Sequence, residues 1–363
     1  MKIGIVGLPL SGKTTLYNAL TGSMADTTAF MGGKAEMHQA IIQVPDERLD
    51  KLNEIFRPKK KTPATIEYID LAGISADSQK KQGFSDQFLG QIRTVDAIVI
   101  VLRSFKDENI PHPLDSIDPM RDLTIIEAEF ILSDLGIVEN RMSRLEKQMR
   151  VKKTDQDQKE FILLEKFKAL LEEEKPLRQM NIAPEEELLI RGYQFLTLKP
   201  HIIVINIDEN DIKISDSFLD KFRHVSNKKN TIVIPISANI EMEIHQLDDQ
   251  EAKVFRQDLG IAISAMDRFV RTSYELLGLI SFFTVGEDEV RAWTIGTQTP
   301  APEAAGEIHS DIQRGFIRAE VVPFDEFIKR GTLAKCRSEG VLRLEGKEYI
   351  VKDGDIINFR FAV

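Results

Sequence analysis

Along its first quarter the chain alternates short β-rich apolar runs with stretches of helical spacing, as a mostly parallel sheet flanked by helices does. The pattern predicts strands over residues 2–7, 38–44, 64–70, 96–102, 201–206 and 231–236. Ile-Val-Ile-Val-Leu at 98–102 and Ile-Ile-Val-Ile at 202–205 are apolar at successive positions, which suits strands buried on both faces of a doubly wound sheet. About a hundred residues separate the fourth run from the fifth, where an ordinary crossover takes roughly a dozen or more, so something is inserted there. In that insert Ile131, Leu135, Val138, Met142, Leu145 and Met149 recur at intervals of four and three, the seam of a helix packed along one long neighbour. A polar link over 151–158 precedes a second seam at Phe161, Leu164, Lys168 and Leu171, so an antiparallel helical hairpin is expected. Its stripes read as core packing, without chemistry. From about Leu279 strand-like runs return at 280–285, 290–295, 347–351 and 356–361, the last two expected to form a hairpin-like finish around Asp353-Gly354. This is the texture of a small α+β module.

Length and composition narrow the possibilities. At 363 residues the chain exceeds what one hydrophobic core normally organises, so two or three modules are expected. With 42% hydrophobic and 29% charged residues it is globular, which excludes disorder and low complexity. Lys and Arg number 48 against 58 Asp and Glu, a net charge of −10, so any nucleic-acid contact must be a local basic patch. Cys336 is the single cysteine, which permits no internal disulfide and reads as a bystander. No apolar run approaches the ~18 residues of a membrane span and no leader-like segment opens the chain. A cytoplasmic location without membrane contact is expected.

The strongest chemical signal is Gly7-Leu8-Pro9-Leu10-Ser11-Gly12-Lys13-Thr14, which fits the phosphate-binding loop: two glycines, then Lys and Ser or Thr, between an apolar strand and a helical pattern. Glycines let backbone N–H groups turn inward around phosphates, Lys13 reaches the terminal phosphates, and the Thr14 hydroxyl ligates Mg²⁺. The ligand expected is a nucleoside triphosphate, held by Leu10, Ser11, Gly12, Lys13, Thr14 and Thr15. Asp70, in Tyr68-Ile69-Asp70-Leu71-Ala72-Gly73 at the end of a strand, stands where nucleotide hydrolases place a carboxylate for the Mg²⁺ shell. An Asp after a strand is more often a turn residue or helix cap; behind a phosphate loop the metal role is favoured. Ile74 follows that Gly, where Ras-like enzymes often carry a Gln that orients water, so hydrolysis needs another group or is slow. Asn206-Ile207-Asp208-Glu209 occupies the slot in which GTPases commonly carry Asn-Lys-x-Asp, an altered base reader. Ser237, Ala238 and Asn239 complete the pocket.

These residues together resemble the YchF/Obg-like ATPase family: the Gly-Leu-Pro context of the loop, Asp70-Leu71-Ala72-Gly73, Asn206 with Glu209, Ser237-Ala238, the helical insert, and the runs 316–321 and 344–355. The resemblance spans the chain and implies an α/β fold: a Ras-like P-loop NTPase domain with an inserted α-helical coiled-coil hairpin and a small C-terminal α+β domain of the β-grasp, TGS kind. It places the nucleotide domain at 1–120 and 198–277, the hairpin at 121–197 and the TGS domain at 278–363. It also implies Mg²⁺-dependent ATP hydrolysis, slow and preferred over GTP, by a ribosome-associated regulatory switch; a monomer is expected because nothing in the chain resembles a long dimeric coiled coil. A ribosome-binding module gated by nucleotide with little turnover, and a GTPase, remain the alternatives. The family's catalytic His, in a loop after the fourth strand, falls on His112, which its sequence context alone would mark as an ordinary loop residue. The chain departs from the family at Leu10-Ser11, where members usually carry Asn-Val, and at the first switch, where Gly33 and Lys34 stand for Cys and Thr, although Phe30 and Glu36 remain; Thr27 or Thr28 could substitute for that Thr. Arg57-Pro58-Lys59-Lys60-Lys61 and Arg150-Val151-Lys152-Lys153 are the basic clusters available to large-subunit rRNA, the second at the hairpin tip.

Overall fold

The computed structural model describes residues 1–22, 38–71, 84–259 and 264–362. Its strands are β1 (Lys2–Val6), β2 (His38–Gln43), β3 (Lys60–Thr62), β4 (Thr65–Asp70), β5 (Ala97–Arg103), β6 (His201–Asn206), β7 (Thr231–Ile236), β8 (Leu279–Val285), β9 (Glu289–Gly296), β10 (Phe316–Pro323), β11 (Arg343–Glu345) and β12 (Asp355–Phe361). The helices used below are α1 (Lys13–Thr21), α2 (Glu47–Phe56), α3 (Asp86–Ile92), α4 (Pro119–Val151) and α5 (Asp155–Glu172).

The chain forms two compact units, one of residues 1–40 and 67–266, the other of 41–66 and 267–363. The first sheet runs β2-β4-β1-β5-β6-β7, and β1, β4, β5, β6 and β7 pair in parallel. Every residue of β5 and β6 is buried, as the unbroken apolar runs require. Because β1 lies between β4 and β5, the loop leaving β1 opens at the point where the strand order reverses, the usual ligand crevice of such sheets.

The insert is a helical hairpin. Helix α4 starts at Asp118, whose carboxylate accepts from the N–H groups of Met120 and Arg121, with Pro119 in the first turn. Val138 and Leu145 of α4 pack with Leu163, Leu164, Phe167 and Leu171 of α5 in one buried cluster. The link is shorter than the polar run suggests, because Thr154 caps α5 by accepting from Asp157 N–H and the helix begins at Asp155.

The second sheet runs β11-β10-β12-β8-β9-β3. Residues 347–351 are not a strand of it. Asp355 accepts from Lys352 N–H and from the Tyr349 hydroxyl, which curls this segment into a turn, and Ile350 makes only an isolated bridge to Pro300. Strand β12 therefore pairs with β10 antiparallel and β8 parallel instead of closing a terminal hairpin. Lys60–Thr62, within a basic cluster of the sequence, forms edge strand β3 beside β9. Trp293 stacks near Phe282 and carries the Arg291 guanidinium 3.8 Å from its ring centroid, so it is a packing residue here. Cys336 is buried, and burial pushes its thiol pKa up.

Candidate functional site

The β1 C-terminus delivers Gly7, and a Cβ there would lie 2.5 Å from the Val101 carbonyl oxygen. Gly12, at φ 91°, caps α1 in the left-handed region, and a Cβ on it would meet Asn206 Nδ2 at 2.1 Å. The two glycines of the motif are thus required by the close approach of strands β5 and β6. Leu10 also adopts positive φ, 62°, and is exposed. Ser11 is buried, and its hydroxyl has no protein partner among the described residues.

Lys13 is buried and its ammonium lies inside the loop, donating to the Gly7 and Leu8 carbonyl oxygens at 3.1 and 2.8 Å. Burial lowers its pKa to about 8, and the neighbouring Asp70 charge opposes that shift. Thr14 Oγ1 donates to Asp70 Oδ2 at 3.2 Å. The β1–β4 register sets this contact, since Ile5 pairs with Asp70. A hydroxyl and a carboxylate side by side form the hard oxygen pair by which proteins hold a small divalent cation that keeps its remaining positions for water and phosphate.

Asn206, at the end of β6, joins three loops. Its Nδ2 donates to the Ser11 carbonyl at 3.1 Å, and its Oδ1 accepts from Ala238 N–H at 3.1 Å. Beside it opens a cavity of about 270 Å³ lined by Gly12, Thr15, Ile207, Asp208, Glu209, Ser237 and Asn239, and on another side by Phe105, Lys106, Asp107 and Ile110. The proposed nucleotide residues from Leu10 to Thr15 lie along the phosphate loop and the first turn of α1, Asn206, Ile207, Glu209, Ser237 and Asn239 line this cavity, Ala238 joins them through its N–H to Asn206, and Asp70 sits beside Thr14.

The wall at 105–110 is what the sequence reading missed. It is held by Arg103, the buried last residue of β5, which donates to the carbonyls of Phe105, Asp107 and Ile110 at 3.3, 3.4 and 2.8 Å. The available signal was topological, since the loop after β5 leaves the same sheet edge as the phosphate loop.

His112 is not among the residues lining that cavity. Its Nε2 lies 3.0 Å from Asp122 Oδ2 in the first turns of α4, and its Nδ1 accepts from Leu114 N–H at 3.1 Å. Ala72-Gly73-Ile74 and the first-switch positions Thr27, Thr28, Phe30, Gly33, Lys34 and Glu36 lie outside the described residues.

The two basic clusters differ in their surroundings. Lys59, Lys60 and Lys61 pair with Asp288, Glu289 and Asp50 at 2.7, 3.4 and 2.6 Å. Arg150, Lys152 and Lys153 are exposed at the hairpin turn. Among the described residues no helix is long and apolar enough to cross a membrane.

Comparison with known proteins bears on the same chain from end to end. The family profile YchF-GTPase_C, described as a protein of unknown function (DUF933), matches residues 279–362, and MMR_HSR1, described as a 50S ribosome-binding GTPase, matches residues 2–166. The chain is 42% identical over 363 residues to the ribosome-binding ATPase YchF of Bacillus subtilis, covering 99% of each. It is 40% identical to the protein of the same name from Escherichia coli O157:H7, covering 100% of this chain and 99% of that one. The solved structure of the Schizosaccharomyces pombe YchF GTPase matches with a TM-score of 0.86 at 32% identity, covering 99% of this chain and 97% of that one.

Proposed function

The chain belongs to the YchF family, and from that membership we propose that it binds a nucleoside triphosphate with Mg²⁺, hydrolyses it slowly with a preference for ATP, and works as a ribosome-associated regulatory switch in the cytoplasm. The observation that carries this reading is the convergence of Lys13, Thr14 and Asp70 at one mouth of the phosphate loop, with Thr14 and Asp70 in hydrogen-bond contact.

In this reading the loop's backbone and the Lys13 ammonium bind the phosphates, the ammonium exchanging the Gly7 and Leu8 carbonyls for the stronger anionic acceptor. Thr14 and Asp70 hold the Mg²⁺, which supplies charge neutralisation for the phosphoryl oxygens. Asn206 keeps the phosphate loop and the 237–239 loop in register. Ile207 and Glu209 shape the base site opposite Phe105 and Ile110. His112 is the water-positioning group proposed for turnover. We assign the nucleotide role to 1–120 and 198–277, the ribosome-facing hairpin to 121–197 and a TGS-type module to 278–363, the whole acting as a monomer.

Relatives are named both ATPase and GTPase, so base choice is the discriminating measurement. ATP, GTP and their diphosphates are titrated against the purified chain with Mg²⁺, and phosphate release is followed in the same samples, for the native chain and Lys13→Ala. The expected result is tighter binding of ATP than GTP and release that depends on Lys13, with affinity down roughly tenfold or more on losing a charge-assisted contact. Release unchanged in Lys13→Ala would remove the enzyme reading. Tight binding without release would leave a nucleotide-gated ribosome binder, the reading favoured by Leu10, Lys34 and Ile74.

A further inference from the structure

We propose that Asp122 is a positioning residue for His112: its carboxylate latches the imidazole to the start of α4, and turnover requires that latch to open. The proposal rests on the reading of His112 as the water-positioning group and deepens it.

The hydrogen bonds of the ring fix its protonation pattern. Because Nδ1 accepts from Leu114 N–H, the proton of the neutral ring resides on Nε2, where it is donated to Asp122 Oδ2 at 3.0 Å. Both ring nitrogens are therefore committed to the protein, and the side chain is only 4% exposed. An imidazole so held has no free lone pair with which to take a proton from water. The carboxylate is itself fixed. Asp122 is 2% exposed, and its Oδ1 accepts from Arg121 Nε and Nη2 at 3.0 and 2.8 Å. Arg121 in turn donates to Ser116 Oγ and to the Ser116 carbonyl at 2.7 and 2.6 Å, so the turn that carries His112 is tied to the same two residues.

The loop after β5 is thereby held at two separate places. Arg103 grips the carbonyls of residues 105–110 and keeps them as the cavity wall, whereas Asp122 and Arg121 grip residues 112–116. Pro111 and Pro113 flank His112 and have no N–H to lose, so the ring can leave α4 at the cost of few backbone hydrogen bonds. The contacts that hold the cavity wall are thus separate from those that hold His112, and the second set can be given up without the first.

The test uses the full-length chain. kcat and KM for Mg-ATP are measured for Asp122→Ala and Asp122→Asn, each alone and combined with His112→Ala, and ¹⁵N NMR of the His112 imidazole is recorded in the native and Asp122 variants. The expected result is kcat raised roughly three- to tenfold in Asp122→Ala and by less in Asp122→Asn, whose neutral amide oxygen still accepts a bond about half as strong. KM for ATP stays unchanged, and the gain disappears in the His112→Ala background. The native spectrum should show the Nε2-protonated tautomer, and the Asp122→Ala spectrum a displaced Nε2 resonance, because the bond from that N–H to the carboxylate is gone. A fall in kcat in both Asp122 variants would make the carboxylate an orienting partner and overturn the latch, as would a gain that persists without His112. A native rate in His112→Ala would refute the catalytic reading of His112, and the latch with it. Native protein lacking the Nε2 tautomer while His112→Ala is inactive would overturn the latch alone.

Discussion

Lys13 shows how one side chain couples charge to ligand. Its pKa is held at about 8 chiefly by burial, against 10.5 for an unperturbed lysine, with the Asp70 charge partly compensating. A folded-state pKa below the unfolded value means that the folded chain binds fewer protons between pH 8 and 10.5. The stability penalty for burying the ammonium is thus full below pH 8 and relieved as pH rises through that window. A bound triphosphate favours the charged form and raises the pKa again, so above pH 8 binding must take up a proton. We expect ATP affinity to be flat with pH below about 8 and to fall above it, by at most about tenfold per pH unit. Calorimetry at pH 8.5 in two buffers of different ionisation enthalpy reads the uptake directly, and heats that agree in both buffers would refute the coupling. The phosphate loop itself was legible because its residue types are dictated by phosphate chemistry. The wall at 105–110 was not, because Arg103 holds it through main-chain carbonyls that any residue possesses.

At the scale of the element, a buried carboxylate anchors helix α4 of the hairpin. Asp134, 0% exposed in the middle of α4, accepts from Arg93 Nη1 at 2.9 Å, from Leu196 and Thr197 N–H at 3.1 and 2.8 Å, and from Thr197 Oγ1 at 2.8 Å. These partners belong to the residue capping α3 and to the segment that returns the chain to β6. Asp134→Ala would strand four donors and is expected to cost about 3–5 kcal/mol, read by urea denaturation. A loss under about 1 kcal/mol would mean that the α4–α5 apolar seam alone holds the insert. The seam was visible as spacing in Ile131 to Met149, and β5 and β6 were visible as unbroken apolar runs because both their faces are buried. The second sheet was less so. Strand β3 reads Lys-Lys-Thr, a polar edge with no apolar alternation, and β10 carries Arg318 and Glu320 in its interior. Lys347-Glu348-Tyr349-Ile350-Val351 has a strand's composition, yet Asp355 captures it into a turn. Composition within a run cannot report a partner that lies outside it, whether Asp355 a few residues on or β9 beside β3.

For the whole molecule the question is where a chain of net charge −10 can meet a polyanion. Charge counts alone, four cations at 57–61 against three at 150–153, would favour the first basic cluster, but their surroundings reverse the order. The ammonium groups of Lys59, Lys60 and Lys61 already face Asp288, Glu289 and Asp50, so approaching rRNA phosphates would compete with carboxylates in place. Arg150, Lys152 and Lys153 are exposed, and among the described residues no ion pair engages them. They sit at the end of a 33-residue helix, which at ~1.5 Å per residue carries charge tens of ångströms along its axis. We therefore expect Arg150→Ala/Lys152→Ala/Lys153→Ala to weaken ribosome binding and to flatten its dependence on log salt by roughly two to three units of slope. Lys59→Ala/Lys60→Ala/Lys61→Ala should leave that slope nearly unchanged and cost only about 0.2–1 kcal/mol of stability per exposed pair. Sedimentation with ribosomes across a salt series, paired with ATP titration to verify an intact nucleotide site, distinguishes the two. An unchanged slope in the hairpin variant, with a reduced one in the Lys59–Lys61 variant, would move the contact from the hairpin to the edge of the second sheet.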